Sequence, residues 1–209
     1  MNHLSLKQKY FFAITLVCLI SLAIVSTVSY LISYQLVLDS TTSKLEMASK
    51  RYSNEIDAWL IRQMDGLHNI KDEIEFNSDY YDDSHISAML NHKLEQTSGQ
   101  VLDYYIGFND KRLLSGTGWI PTADYDCTER TWFKQAINRG SMVITLPYVD
   151  SDSKKMVITI SEPLTLNNRV AGVLAVDITV DYLVELVNHI KISDGSYAFL
   201  IDNEKNIMT

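Results

Sequence analysis

The sequence predicts an α+β fold in which helices pack on one antiparallel sheet. A long stretch without proline follows an uncharged N-terminal run and carries apolar residues at helical intervals. From residue 101 the pattern changes to short runs rich in aromatic and β-branched residues, separated by turn residues. A helical pattern then returns at VDYLVELVNHI. Helices and strands that are segregated along the chain in this way favour an α+β layer packing.

The first predicted element is a transmembrane helix at residues 10–36. This segment contains no charged residue, and it is longer than the roughly 20 apolar residues that span a bilayer. Its length and the lack of an A-x-A site after it argue against a cleaved signal peptide. Because Lys7 and Lys9 precede it, the positive-inside rule predicts that residues 1–9 are cytoplasmic and that the chain after about residue 38 is extracytoplasmic. We therefore expect the protein in the cell membrane.

Residues 39–76 are predicted to form one long helix that continues from the membrane span. The run contains no proline, and its only glycine is Gly66. Charged residues separate the apolar positions that recur at helical intervals, which are Leu45, Tyr52, Ile56, Trp59, Leu67, Ile70 and Ile74. The segment NSDYYDDS ends the helix, and HISAMLNHKLEQTS is predicted as a second, shorter helix. We expect a homodimer that forms through the long helix.

The sheet is predicted to contain about five strands. They are VLDYYIGF, LLSGTG, MVITLPYVD, KKMVITISEPL and RVAGVLAVDIT. Between the second and third strands, WIPTADYDCTERTWFKQAINRG is a loop followed by a short amphipathic helix that ends at Gly140. The final pattern, SYAFLIDNEKNIM, predicts a hairpin with its turn at Asp202–Asn203. Because a strand without its sheet leaves an exposed edge, we expect residues 193–209 to begin a second module that is truncated here.

Six residues near the middle of the chain combine the groups needed to hold a zwitterion. They are Tyr125, Arg130, Trp132, Tyr148, Asp150 and Asp177. Arg130 and Trp132 can donate hydrogen bonds to a carboxylate, and Arg130 does so as a planar fork. Asp150 and Asp177 can accept from an ammonium group. The set therefore predicts a site for a free amino acid.

Most of these side chains also have an ordinary structural explanation. Arg130 could form a surface ion pair with a neighbouring acid, and Trp132 could belong to the core. Asp150 lies in a hairpin turn, and Asp177 could cap the helix that follows it. These alternatives remain open at the level of sequence.

The order of elements and the polar set resemble the double Cache (dCache) sensors, which are extracytoplasmic domains of bacterial chemoreceptors and other transmembrane receptors. The resemblance covers about residues 35–209. It implies a PAS-like Cache module, within residues 37–192, that binds the ligand and is followed by the start of a membrane-proximal module. The more specific match is to the amino-acid-binding subgroup, whose motif appears in order as Tyr125, Arg130, Trp132, Phe133, Tyr148, Asp150 and Asp177.

The resemblance also implies roles for these residues. Arg130 and Trp132 would hold the ligand carboxylate, and Asp177 would hold the ammonium together with Tyr125, Tyr148 and Asp150. Phe133 stands where the subgroup usually has tyrosine, so one hydroxyl contact is missing. A chemotaxis receptor with cytoplasmic signalling partners is implied. The alternative is a sensor of another small ligand, an amine or a carboxylate, that drives a histidine kinase or a nucleotide cyclase.

Composition and spacing argue against several other classes of function. The chain has 26 acidic and 18 basic residues and no basic face with interleaved aromatics, so nucleic acid is not an expected partner. Cys18 lies in the predicted span, which leaves Cys127 without a disulfide partner outside. The five histidines are scattered, and we expect neither a metal nor a cofactor. An anchored hydrolase and a module without a small ligand remain as alternatives, although no nucleophile–base pair is visible.

Overall fold

The structure is a computed structural model that describes residues 6–188, 199–201 and 207–208. The chain divides into two compact units, Met1–Arg51 and Tyr52–Thr209. The first helix, α1, spans Leu6–Phe76 without a break and contributes to both units. The prediction of a helix that continues beyond the apolar run is therefore confirmed. By length and composition α1 could cross a membrane.

Among the described residues, the second unit contains the main sheet, three further α-helices and one 3₁₀ helix. In chain order its elements are α2 (Asp83–Glu95), β1 (Asp103–Phe108), β2 (Leu113–Ser115), a 3₁₀ helix (Cys127–Glu129), α3 (Thr131–Arg139), β3 (Val143–Ile144), β4 (Tyr148–Val149), β5 (Met156–Leu166), β6 (Arg169–Thr179) and α4 (Val180–Asn188). The strands form one antiparallel sheet in the order β2–β1–β6–β5–β3, and β4 also pairs with β5. This arrangement confirms the predicted α+β fold.

The segment MVITLPYVD forms two short strands and not the single strand that the sequence predicts. Pro147 has no N–H to donate and lies directly before β4. Thr145, after β3, donates its N–H to the carbonyl of Thr159 and accepts the N–H of Thr159 on its hydroxyl oxygen, at 3.0 Å in both cases. The pairing with β5 is therefore interrupted, and the sheet has six strands.

Each face of the sheet packs against helices. On one face, apolar residues of β1, β5 and β6 form a core with α1, α2 and α4, in which Leu67, Ile74 and Leu90 have no exposed surface. On the other face, Val173 and Ala175 pack against Trp132 and Phe133 of α3. Helix α3 ends as predicted at Gly140, which adopts a left-handed conformation with φ of 67°.

A buried acid ties helix α1 to strand β5. Glu162, which is 8% exposed, accepts a hydrogen bond from Lys71 Nζ at 3.0 Å. His68 Nδ1 lies 3.0 Å from the other carboxylate oxygen of Glu162, and this hydrogen bond raises the pKa of His68. The ion pairs fix this part of α1 relative to β5.

The end of the chain forms a second, separate sheet. Strands β7 (Leu200–Ile201) and β8 (Ile207–Met208) pair antiparallel, as expected for a hairpin. The predicted turn at Asp202–Asn203 lies outside the described residues. The assignment of residues 193–209 to a second module stays a prediction.

Strands β1 and β6 approach closely at Gly172. A Cβ at this position would lie 2.2 Å from the carbonyl oxygen of Gly107, which is a backbone atom. Backbone must move to accommodate any side chain here, since neither strand is at the edge of the sheet.

We expect Gly172→Ala to lower the free energy of unfolding by at least about 1 kcal/mol because it overpacks this crossing. Gly66→Ala in α1 is the matched control, since a Cβ there has no atom within 4 Å. The control should be neutral or stabilising by up to about 1 kcal/mol. Thermal denaturation of the full chain in detergent, followed by circular dichroism, measures both. Equal stability of Gly172→Ala and the wild type would contradict the close approach.

Candidate ligand-binding site

Six of the seven predicted residues line one cavity, on the α3 face of the sheet. They are Tyr125, Arg130, Trp132, Tyr148, Asp150 and Asp177. Phe133 is not among the lining residues. It is 5% exposed and packs edge-on against Trp132, with ring centroids 5.5 Å apart. Position 133, where the subgroup usually has tyrosine, therefore belongs to the core in this structure.

Arg130 lies between the 3₁₀ helix and α3, where it is the N-cap residue of α3. The surface ion pair considered from sequence does not form, because the neighbouring acids have other partners. Asp126 pairs with Lys111 at 2.7 Å, and Glu129 pairs with Lys134 at 2.5 Å. Within the described part of the chain, Arg130 makes no ion pair.

The guanidinium of Arg130 lies beside one aromatic ring, that of Tyr125. Its central carbon lies 5.7 Å from the centroid of the Tyr125 ring, a cation–π distance. Tyr125 in turn meets Trp119 edge-on, with centroids 5.1 Å apart. Burial raises the pKa of Tyr125 to about 12, against the opposing effect of Arg130. The Tyr125 hydroxyl is therefore a neutral donor at physiological pH.

Trp132 belongs both to the core and to the wall of the cavity. Its side chain is 1% exposed, and its ring meets Tyr105 edge-on at 5.0 Å between centroids. A Cβ on Gly107 would lie 2.7 Å from Trp132 Cη2, so the indole packs directly on the backbone of β1. No hydrogen bond among the described residues uses the indole N–H.

Asp177 is a buried carboxylate held by hydroxyl groups. It is 3% exposed in the interior of the sheet. Its Oδ1 accepts hydrogen bonds from the Tyr105 hydroxyl at 2.8 Å and from the Thr159 hydroxyl at 2.5 Å. The Tyr148 hydroxyl lies 2.6 Å from Thr159 Oγ1. Because Thr159 donates its only proton to Asp177, Tyr148 donates to Thr159. The result is a chain of donors that ends at Asp177.

Asp177 does not cap the following helix. The cap is Thr179, whose Oγ1 accepts the N–H of Tyr182 at 3.2 Å. Asp177 also has no cation within ion-pair distance among the described residues. Burial raises the pKa of its carboxyl to about 7, although the hydrogen bonds from Thr159 and Tyr105 oppose this effect. An unpaired carboxylate at this depth would be stabilised by an ammonium ligand.

Asp103 is a further acidic residue of the cavity that the sequence analysis did not single out. In the pairing of β1 with β6 it lies directly opposite Asp177. It accepts hydrogen bonds from Ser115 Oγ at 2.5 Å and from the N–H of Thr117 at 3.0 Å. Burial raises the pKa of its carboxyl to about 6. Asp103 is two residues before Tyr105 on β1. Alternation along the strand therefore predicts that the two side chains lie on the same face of the sheet.

Asp150 is held by its own hairpin turn, which is the structural explanation that the sequence left open for this residue. Its Oδ2 accepts the N–H and the hydroxyl of Ser153, each at 2.7 Å. No hydrogen bond in the described chain uses Oδ1, and the residue still lines the cavity. The turn therefore orients Asp150 without consuming both of its oxygens.

Cys127 lies near the site but does not line the cavity. It is fully buried, and burial raises the pKa of its thiol to about 11. At physiological pH it is therefore a neutral thiol. Among the described residues, no group of three or more His, Cys, Asp or Glu side chains could hold a metal ion.

Comparison with solved structures supports the fold. The ligand-binding domain of the Pseudomonas aeruginosa PAO1 amino acid chemoreceptor PctC, in complex with GABA, superposes with a TM-score of 0.68 and 20% identity, and covers 78% of this chain and 73% of that one. The ligand-binding domain of Mlp24 with asparagine superposes with a TM-score of 0.59 and 27% identity, and covers 76% of this chain and 65% of that one.

Sequence comparison identifies the family. The methyl-accepting chemotaxis protein PscA of Pseudomonas syringae pv. tomato is 24% identical over 208 residues, which is 100% of this chain and 32% of the relative. The chain thus spans about a third of the length of this relative. The model of the Cache domain family dCache_1 matches residues 32–209. The chain therefore belongs to the dCache family of Cache domains.

Proposed function

We propose that this chain is the sensory part of a transmembrane chemoreceptor and that its cavity binds an α-amino acid. One observation carries the proposal. A buried carboxylate without a cation, Asp177, and a guanidinium without an anion, Arg130, line the same cavity. A zwitterion supplies the missing charge to each of them.

The ligand is held from two sides in this proposal. Arg130 binds the carboxylate as a fork, and Trp132 adds an indole donor. The N–H groups at the start of α3 also favour an anion there. On the other side, Asp177 and Asp150 accept from the ammonium, and the two tyrosine hydroxyls close the site. The ligands named for PctC and Mlp24, GABA and asparagine, carry both an amine and a carboxylate.

The receptor part of the proposal rests on α1 and on the relatives. The apolar side chains of residues 10–38 are exposed along α1, which suits a lipid environment and not water. We place residues 1–9 in the cytoplasm and the chain after about residue 38 outside. A homodimer through α1 and cytoplasmic signalling partners complete the proposal, and the ligand is bound but not turned over.

Signalling requires that the ligand stabilise one conformation over another. A ligand shifts such an equilibrium only by the difference in its affinity for the two states. Arg130 precedes α3, whereas Asp177 belongs to β6. A ligand that contacts both therefore favours the conformation in which these elements are close.

A thermal-shift experiment on the full chain in detergent tests the proposal. The twenty amino acids are compared with simple amines and simple carboxylic acids. A ligand at about 100 times its Kd should stabilise the fold by about 2.7 kcal/mol. Stabilisation by amino acids but not by either half supports a two-sided site. If simple amines stabilised the fold as much as amino acids do, Arg130 would not belong to the site. No shift with any compound would contradict amino-acid binding.

We expect Arg130→Ala to weaken amino-acid binding by about 1.5–3 kcal/mol because a charged hydrogen-bond partner is lost. This corresponds to about tenfold to 150-fold in Kd. Arg139→Ala, at the exposed opposite end of α3, removes the same charge away from the cavity and should leave Kd unchanged. Isothermal titration calorimetry measures both variants. Equal effects of the two substitutions would show that only the overall charge matters.

Binding should weaken as the pH falls below about 7, because the ammonium needs Asp177 as a carboxylate and its pKa without ligand is about 7. Each pH unit below that value should cost up to about tenfold in affinity. Calorimetric titrations at successive pH values measure the slope. In Asp177→Asn the residual binding should lose the part of this dependence that is centred near pH 7. An unchanged profile in the variant would assign the proton to another group.

Asp177→Asn should also stabilise the ligand-free chain at alkaline pH. A carboxyl with a raised folded-state pKa favours folding while it is protonated. This contribution is fully present below the ordinary carboxyl pKa of about 4 and is lost as the pH rises from there through about 7. Asn keeps an oxygen acceptor for Tyr105 and Thr159 but carries no charge. We expect a higher Tm for Asp177→Asn at about pH 8, a smaller increase at about pH 5 and little change at about pH 4. Asp79→Asn, at an exposed position, is the control and should change none of these values.

A further inference from the structure

The lining of the cavity contains more negative than positive groups. Four aspartates line it, Asp103, Asp150, Asp152 and Asp177, whereas Arg130 is the only cation among the lining residues that the structure describes. An α-amino acid brings one negative and one positive charge. Its carboxylate neutralises Arg130 and its ammonium neutralises one aspartate, so a negative excess remains in the occupied cavity.

The strand register concentrates this excess at one point. Asp103 of β1 and Asp177 of β6 are direct partners in the antiparallel pairing, and both line the cavity. Side chains at such positions lie on one face with Cβ atoms about 4.5–5.5 Å apart, and like charges there are destabilising. Neither carboxyl has a cation within ion-pair distance in the described part of the chain. A ligand with one ammonium relieves only part of this repulsion.

The surroundings of Asp103 suit the charged end of a flexible side chain. Ser115 and Thr117 donate hydrogen bonds to both of its oxygens and so fix its orientation. Leu113 and Trp119 line the same cavity and provide apolar surface for methylene groups. A chain of methylenes that ends in an ammonium matches this combination of an apolar wall and an oriented carboxylate.

We propose that the ligand of this cavity is an amino acid with a second positive charge on its side chain, as in lysine or ornithine. Its α-ammonium binds Asp177, its carboxylate binds Arg130, and its side-chain ammonium binds Asp103. This assignment rests on the proposed function and specifies its ligand class. The short separation of Asp103 and Asp177 lets a side chain of the length of ornithine or lysine reach both.

The test compares ligands that differ only by the terminal ammonium. Lysine is titrated against norleucine, and ornithine against norvaline, by calorimetry on the full chain in detergent at about pH 8, where both carboxyls are ionised. We expect each cationic ligand to bind about tenfold or more tightly than its neutral partner, as for one charged hydrogen bond.

Asp103→Asn tests the residue. Asn can still accept the N–H of Thr117 and can donate to the hydroxyl of Ser115, so the loop is preserved. We expect the variant to lose about tenfold or more in affinity for lysine and about twofold or less for norleucine. Asp124→Asn is the matched control, because Asp124 is an exposed acid of the neighbouring loop that does not line the cavity. It should leave the preference for lysine unchanged.

The possible failures can be told apart. Tighter binding of norleucine than of lysine by the wild type would overturn this assignment and leave amino-acid binding intact. An equal loss for both ligands in Asp103→Asn would assign Asp103 to the loop or to the α-ammonium and would also overturn it. Binding of none of these amino acids would overturn the proposed function together with the inference.

Discussion

The buried carboxylate of Asp177 is the constraint on which the candidate site depends. Strand β6 lies between β1 and β5, so a charge at this position has little contact with water and needs partners in the sheet or in the cavity. The hydroxyls of Thr159 and Tyr105 on the flanking strands satisfy it in part. They are neutral donors, so they do not balance the negative charge of the carboxylate. A cationic group can balance it.

The packing of Trp132 fixes one wall of the cavity. Its indole lies on the backbone of β1 at Gly107, where no larger residue would fit. The carbonyl oxygen of Trp132 also accepts a hydrogen bond from the Ser161 hydroxyl of β5, at 3.0 Å. Arg130 is only two residues earlier and is therefore held in place by the core that anchors α3. The cation of the site is positioned by apolar contacts, and its anion by hydrogen bonds.

Strand β5 connects the candidate site with α1. Thr159 points to Asp177 on one face of the sheet, and Glu162 points to Lys71 and His68 of α1 on the other. A change in the hydrogen bonds of Asp177 and a shift of α1 therefore act on the same strand. This shared strand gives a physical route by which occupation of the cavity can bias the position of a helix.

The sequence by itself determined the elements and much of the site. Helical periodicity predicted α1 to its end, and Gly140 predicted the end of α3, because these signals are local. Six of the seven proposed residues line the cavity, whereas Phe133 lies in the core. Only the tertiary structure decided that Asp103 and Thr159 flank Asp177. Strand register is a long-range property, and alternation along one strand shows which residues share a face but not which residues they meet.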